Sequence, residues 1–384
     1  MAKGIGIHGE LFRALCDPAH LIRSARAASR GKRLRSQASA FLLDLEPECF
    51  RLAAELECGS WQPGGYRTFT IREPKPRLIS AAPFRDRVVH HALVSLLQPH
   101  FERRFVAHSY ACRPGKGSHR ALLRASSLMA RRRFVLKGDV KRFFPSIDHE
   151  LLKTEVRRVV ADQRLLGVLD QVIDGSNPQE PVQEWFSGDD LFAVTRRRRG
   201  IPIGNLTSQF LANVFLDRFD HAIMDRLGWG EYVRYCDDFL VFADDAERLW
   251  VLRHQASTLL DGQRLRLHER KGGVHRTTSP VPFLGFTLAR GLRKLQRAGL
   301  VRATRRLRAC GALIAAAGDQ QAREVAVSAA RPRVAAWIGH ARYATSRGLV
   351  PQVLRRTGLC MHLVPEASAA AGTGVLPSVV RPAR

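Results

Sequence analysis

Long apolar runs are missing from this sequence. No stretch of about 18 consecutive apolar residues occurs, roughly the length a helix needs to cross a bilayer, so a membrane-spanning helix and a membrane partner are not expected. The opening residues, MAKGIGIHGELF, lack the apolar segment of a secretory signal, and cytoplasmic residence is the expectation. Paired cysteines are missing too. The seven cysteines (16, 49, 58, 112, 236, 310 and 360) are scattered and odd in number, with no CxxC pair. That spacing argues against both a disulfide framework and a zinc ribbon; small buried hydrophobes in a reducing compartment are the simpler reading. Gly115-Lys116-Gly117-Ser118 lacks the leading glycine of a phosphate-binding GxxxxGK[ST] loop. His90, His91, His268 and His275 lack metal-ligand spacing to any Cys or Asp and read as core or solvated side chains.

Acidic residues are scarce. Lys plus Arg total 62 against 35 Asp plus Glu, a formal charge of +27. Such an excess attracts polyanions, because each neutralised phosphate releases condensed counterions. Hydrophobic residues at 45% and charged residues at 25% are ordinary for a protein with a real core.

The hydrophobic pattern predicts helices over Glu10–Cys16 and Phe41–Leu56, separated by a basic stretch from Arg23 to Arg35. Gln62-Pro63-Gly64-Gly65 is a turn, and the alternating Tyr66–Ile71 run followed by Arg77-Leu78-Ile79 predicts a hairpin. Residues 84–106 read as a helix broken around Pro99. Phe134-Val135-Leu136-Lys137 reads as a buried strand ending in Asp139, with a helix from Asp148 to Val160. A polar insertion from Asp174 ends in four arginines, Arg196 to Arg199, and a Gly200–Gly204 turn leads into a long helix over Leu206–Arg226. Glu231–Tyr235 and Phe239–Ala243 flank Cys236-Asp237-Asp238 as a hairpin, and a helix follows over Ala246–Leu260. Beyond Ala289 the chain reads as helical and basic, with 15 basic and two acidic residues between Arg290 and Arg356. The last twenty residues are rich in Ala, Gly, Pro and Val and read as a disordered tail.

Two acidic signals stand out against this basic background. Asp-Asp in a hairpin is often only turn chemistry. Asp139, however, ends a second apolar strand, and two paired strands can bring distant carboxylates together. Two Mg²⁺ ions about 3.5–4 Å apart need hard anionic oxygens from more than one strand, and such a pair supports in-line displacement at a phosphorus. Neighbouring strand residues face opposite sides, so Asp237 is the stronger candidate ligand and Asp238 a supporting one.

FVLKGDVKRFFPSID (134–148) resembles the first catalytic motif of reverse transcriptases, and YVRYCDDFLVFADD (232–245) resembles their palm hairpin. SYACRPGKG (109–117) is similar to the segment preceding the first aspartate, and Phe283-Leu284-Gly285-Phe286 to the primer-grip strand. These motifs stand in family order from about residue 60 to 290. The resemblance implies an α+β right-hand polymerase fold: an N-terminal helical extension (1–60), fingers (61–132), a palm of mixed sheet backed by helices (133–288), a basic helical thumb (289–364) and the tail (365–384). It implies RNA-directed DNA polymerase activity on a template RNA and primer duplex with deoxynucleoside triphosphates.

By the same resemblance Asp139, Asp237 and Asp238 hold two Mg²⁺ ions. Phe144 is the steric gate against a ribose 2′-hydroxyl, with Phe143 a core ring. Lys75 and Arg77 grip the triphosphate, and Lys271 stands by to protonate pyrophosphate. GIPIGNLTSQ (200–209) carries Ile203, Gly204 and Gln209, where group II intron and retroviral-type enzymes usually have Gln at 203 and Ser-Pro at 208–209. The Ile-Gly-x-x-x-Ser-Gln form resembles enzymes of diversity-generating retroelements, which implies low fidelity, a structured element RNA and a small basic accessory protein. A stand-alone bacterial enzyme of antiphage-defence or retron-like type is the alternative. An RNA-binding scaffold without chemistry, or a basic RNA-packaging protein, fits less well with all three acids present.

Overall fold

The computed structural model describes residues 10–72, 76–176, 182–269 and 271–359. Lys75 and the 365–384 tail lie outside them. The chain is α+β and divides into two compact units, Met1–Arg276 and Thr277–Arg384.

The first unit opens with helices α1 (Glu10–Leu15), α2 (Pro18–Ala28), α3 (Ser36–Leu43) and α4 (Leu45–Glu57). The first part of the basic stretch expected to separate helices, Arg23 to Ala28, belongs to α2. Asp17 caps it by accepting from the Ala19 and His20 N–H groups at 3.0 and 3.2 Å, and Pro18 opens it with a preset φ. Its arginines stay outside while Leu21, Ala25 and Ala28 are buried. Strands β1 (Arg67–Ile71) and β2 (Arg77–Ala81) form the expected hairpin. Helix α5 (Phe84–Glu102) runs through Pro99 without the expected break. A proline in the last turn costs one backbone bond, and buried Phe101, edge-on to Phe210 at 5.2 Å, holds that turn in the core.

After α6 (Ser118–Arg131) and β3 (Phe134–Asp139) come α7 (Phe143–Ser146), α8 (His149–Arg157), α9 (Gln163–Asp174), α10 (Ala193–Arg196) and α11 (Leu206–His221). A π-helical turn, Ala222–Arg226, replaces the last part of the single long helix expected there. The unit closes with β4 (Tyr232–Tyr235), β5 (Asp238–Ala243), α12 (Ala246–Asp261) and β6 (Gly273–Arg276).

These strands form one sheet in the order β4-β5-β3-β6. Every strand pair in it is antiparallel, not mixed as expected, and the parallel contact between Ser109 and Arg234 is an isolated bridge. The two-residue turn between β4 and β5 permits only the antiparallel sense. Strands β5 and β6 both oppose β3, so they run parallel to each other with β3 between them, and α12 carries the chain across. The core joins Leu136, Phe239 and Val241 of the sheet to Phe215 and Phe219 of α11 and Leu249 and Leu252 of α12.

The second unit begins with a small sheet, whose last strand lies beyond Ala289, where the chain was expected to be helical. It contains β7 (Val281–Phe283), β8 (Phe286–Ala289) and β9 (Leu292–Leu295), then α13 (Arg297–Ala315), α14 (Gln320–Ala341) and α15 (Leu349–Arg356). The Leu284-Gly285 turn has φ of 49° and 82°, positive at both central residues as a tight hairpin of this kind requires. Leu307, Cys310, Val334 and Leu354 make the helical core. No helix among the described residues is long and apolar enough to cross a membrane.

His90 is buried in α5, and burial, with His91 and Arg87 nearby, pushes its imidazole down to about 4. The unfolded chain therefore takes up this proton near pH 6.5 and the folded chain only near pH 4, so the stabilising difference is fully present above 6.5 and lost as pH falls toward 4. We expect the urea midpoint to fall between pH 7 and 4.5 more steeply in the natural chain than in His90→Gln; parallel curves would disprove the linkage.

Candidate active site

Three carboxylates converge at one end of the central sheet. Asp139 closes β3 and Asp238 opens β5, and the register pairs them directly. Side chains so opposed have Cβ atoms about 4.5–5.5 Å apart on the same face. Asp237 occupies the β4–β5 turn beside Cys236, whose φ of 57° is left-handed, a conformation that costs a non-glycine residue about 1–2 kcal/mol. The Asp237 carbonyl accepts from the Val140 N–H at 3.0 Å, tying the turn to the chain just past Asp139. The Asp139 carbonyl accepts from the His268 N–H at 2.7 Å, and the Arg266 carbonyl accepts from the Lys141 N–H at 2.8 Å.

Two glycines make this closeness possible. A Cβ on Gly138 would lie 2.1 Å from the Phe239 ring, and one on Gly272 would lie 2.6 Å from the Lys137 carbonyl. The ring and the backbone occupy the space that side chains would need.

The electrostatics follow from the crowding. Burial, and then the neighbouring Asp139, raise the Asp237 carboxyl above the usual range, with the Arg77 guanidinium pulling the other way. Burial likewise pushes Asp238 up to about 7; Lys137 opposes the shift and Asp139 and Asp237 add to it. Lys137 Nζ stands 3.4 Å from Asp238 Oδ2, and Lys271 Nζ stands 3.5 Å from Asp139 Oδ1. Asp238 Oδ1 is buried with no hydrogen-bond partner.

No group of three or more His, Cys, Asp or Glu side chains among the described residues forms a ready-made metal cage. Mg²⁺, however, is usually held by one or two carboxylates completed by substrate phosphates and water. Facing carboxylates with an unsatisfied buried oxygen fit that partial donor set.

The other expected site residues surround this cluster unevenly. Arg77, exposed at the start of β2, acts electrostatically on Asp237. Phe143 is 2% exposed and edge-on to Phe144 at 5.4 Å. Phe144 is half-buried, and its carbonyl accepts from the Ile201 N–H at 3.0 Å. The Ile203 carbonyl accepts from the Ser80 N–H at 3.3 Å, so the 200–204 turn rests on β2. Gly204, with φ of 118°, meets Ile79: a Cβ there would lie 2.9 Å from its Cγ2. Gln209 stands exposed on the first turn of α11.

Sequence reasoning missed what holds the aspartate turn in place. Arg234 of β4 and Asp220 of α11 are buried, with side chains 1% exposed, and meet through two bonds, Nε–Oδ1 at 2.7 Å and Nη2–Oδ2 at 2.5 Å. The Tyr232 hydroxyl donates to the same carboxylate at 2.6 Å. Arg234 Nη1 donates to the Cys236 carbonyl at 3.0 Å and to Asn213 at 3.3 Å. An isolated arginine within the apolar run of β4, and an aspartate among the aromatics of α11, were the available signals. Asn205 was missed as well: its side chain accepts from the Ala82 N–H at 3.4 Å and donates to the Ser80 carbonyl at 3.2 Å, binding the turn to the hairpin.

Residues 71–288 match the family described as reverse transcriptase (RNA-dependent DNA polymerase). The chain belongs to that family. This reverse transcriptase carries the family's RNA-directed DNA polymerase domain. It is 26% identical to protein YkfC of Escherichia coli (strain K12) over 65% of its own length and 73% of YkfC. It is 31% identical to the mitochondrial nuclear intron maturase 1 of Arabidopsis thaliana, over 30% of its own length and 16% of that protein. To the group II intron-encoded protein LtrA of Lactococcus lactis subsp. cremoris it is 22% identical, over 47% of its own length and 28% of LtrA.

Truncating Arg234 leaves Asp220 charged and unpaired in the core. We expect Arg234→Ala to destabilise the reverse transcriptase by about 3–5 kcal/mol, and Arg234→Met with Asp220→Leu to recover most of that loss. Urea titration of the full chain checks both; a double variant no better than the single would refute the pairing argument.

Proposed function

We propose that this chain copies RNA into DNA by nucleotidyl transfer in which Asp139, Asp237 and Asp238 hold two Mg²⁺ ions, with the first unit supplying fingers and palm and the helices α13–α15 a thumb. The observation that carries this reading is the register setting Asp139 opposite Asp238 beside the Asp237 turn. When bound, the ions supply Lewis acidity at the primer 3′-hydroxyl and at the departing pyrophosphate.

The protein's own part is to hold and to exclude. The three carboxylates concentrate negative charge where divalent ions are needed, and Lys137 limits their mutual repulsion. Arg77, with Lys75, attracts the triphosphate; the fixed fork of a guanidinium suits phosphate oxygens. Lys271, 3.5 Å from Asp139, is the group assigned to protonate pyrophosphate. Phe144 excludes the ribose 2′-hydroxyl. Its backbone bond to Ile201 links that gate to the turn bearing Ile203, Gly204 and, further along, Gln209.

Within the family, Ile203 and Ser208-Gln209 favour the diversity-generating retroelement type, with a structured RNA and a small basic accessory protein as partners. Ile203 offers only apolar contact where a glutamine could hydrogen-bond. Sites that reject analogues do so largely by leaving polar groups unpaired, so low fidelity follows from this residue. The similarity to LtrA favours a second reading, a group II intron enzyme, and a stand-alone defence or retron-like enzyme remains the alternative expected from the sequence. A near-repeat of a coding segment beside the gene, differing at adenines, separates the first from the others.

Primer extension on an RNA template with Mg²⁺ tests the chemistry. Asp139→Ala and Asp237→Ala should each reduce incorporation by more than about a hundredfold, beyond what loss of an outer-shell partner costs; extension that survives either change rules out the assignment. Ile203→Gln should lower misincorporation opposite template adenine by about tenfold, and an unchanged error rate removes the fidelity argument.

A further inference from the structure

The segment 182–199 is fastened down yet displays apolar side chains outward. Its anchors are specific. Glu184 pairs with Lys141 at 2.7 Å, Arg197 pairs with Asp189 and lies 3.5 Å from Asp148, and Arg264 reaches Asp148 at 2.6 Å. The Phe186 ring carries the guanidinium groups of Arg266 and Arg197 at 4.5 and 5.6 Å. Arg266 also donates to the Trp185 carbonyl.

Against that fixed base, Trp185 is 48% exposed, Leu191 76% and Phe192 61%. Single exposed hydrophobics need no explanation. Three within eight residues, on a segment whose neighbouring aromatic is firmly held, mark an interaction surface. The flanking arginines add exposed cations: the Arg196 and Arg198 side chains are 65% and 60% exposed, in surface ion pairs with Asp190 and Asp174 that a phosphate can replace. Exposed aromatic rings beside exposed guanidinium groups are what an unpaired nucleic acid strand requires, rings for its bases and cations for its phosphates. A duplex has no free base faces to offer.

We propose that residues 182–199 form a stacking platform for single-stranded RNA, with Trp185 and Phe192 as base contacts and Arg196 and Arg198 as phosphate contacts. The platform leads directly into the Gly200–Gly204 turn, whose first residue bonds to the Ile147 carbonyl at 2.8 Å, so a strand lying on it is fed toward that turn. The proposal rests on the reading that the chain works on RNA but not on its catalysis.

The test measures binding of the full chain, in EDTA, to a labelled oligouridylate of about 20 nucleotides and to a blunt RNA duplex of equal length. Trp185→Ala with Phe192→Ala should weaken single-strand binding by at least about tenfold and leave duplex binding within about twofold. Its salt dependence should stay unchanged, because rings neutralise no phosphate, whereas Arg196→Ala with Arg198→Ala should flatten the salt slope by about 1.4. Trp185→Phe with Phe192→Tyr should retain binding, which separates stacking from loss of fold. Unchanged single-strand affinity, or equal losses on both probes, overturns the platform. So does a change of oligomeric state on removing the rings, which would make the patch a protein interface. A natural chain that binds the oligouridylate in this way but extends no primer would keep the platform and discard the catalytic reading.

Discussion

The aspartate turn depends on a charge pair that never meets water. Arg234 and Asp220 are both buried, and separately each would be intolerable in a core. Together they satisfy each other through two bonds and leave one guanidinium nitrogen for the Cys236 carbonyl. A buried ion pair of this sort is weak support for stability, since apolar residues of similar volume often do as well. Its value here lies in direction. A guanidinium fork has a fixed geometry, so it sets where the left-handed Cys236 sits and therefore where Asp237 emerges.

The acidic cluster shows the opposite economy. Burial first, and then the charge of neighbouring aspartates, makes Asp237 and Asp238 costly to ionise. Nothing in the sheet requires carboxylates there; alternating apolar residues would pair more comfortably. Lys137 and Lys271 offset part of the repulsion from within the chain. The remainder is a standing demand for positive charge, which a divalent cation meets.

Much of this was legible before any coordinates. The short apolar runs in 134–136 and 239–243 announce strands, and the acids at their ends announce the chemistry. Their pairing is not written in either segment; it comes from the family order of the motifs and from register. What stayed hidden has physical causes. Arg234 and Asp220 look like surface charges in a one-dimensional pattern, and only tertiary packing gives each its partner. Pro99 looks like a helix breaker because local propensity cannot anticipate how firmly Phe101 is held. The basic stretch at 23–35 looks like a linker because its buried face is made of small residues, Ala25 and Ala28, between conspicuous arginines. The antiparallel sheet follows from a two-residue connection whose strands, read singly, have no sense of direction.

Gly138 and Phe239 carry an evolutionary consequence. The aromatic ring fills the volume that any larger residue at 138 would claim, one position before the facing acids. Neither site can drift alone: a bulkier residue at 138 is barred until the ring shrinks, and a smaller residue at 239 opens a void beneath the strand ends. The two positions are therefore locked as a unit, and descendants of this sequence should change them together or not at all.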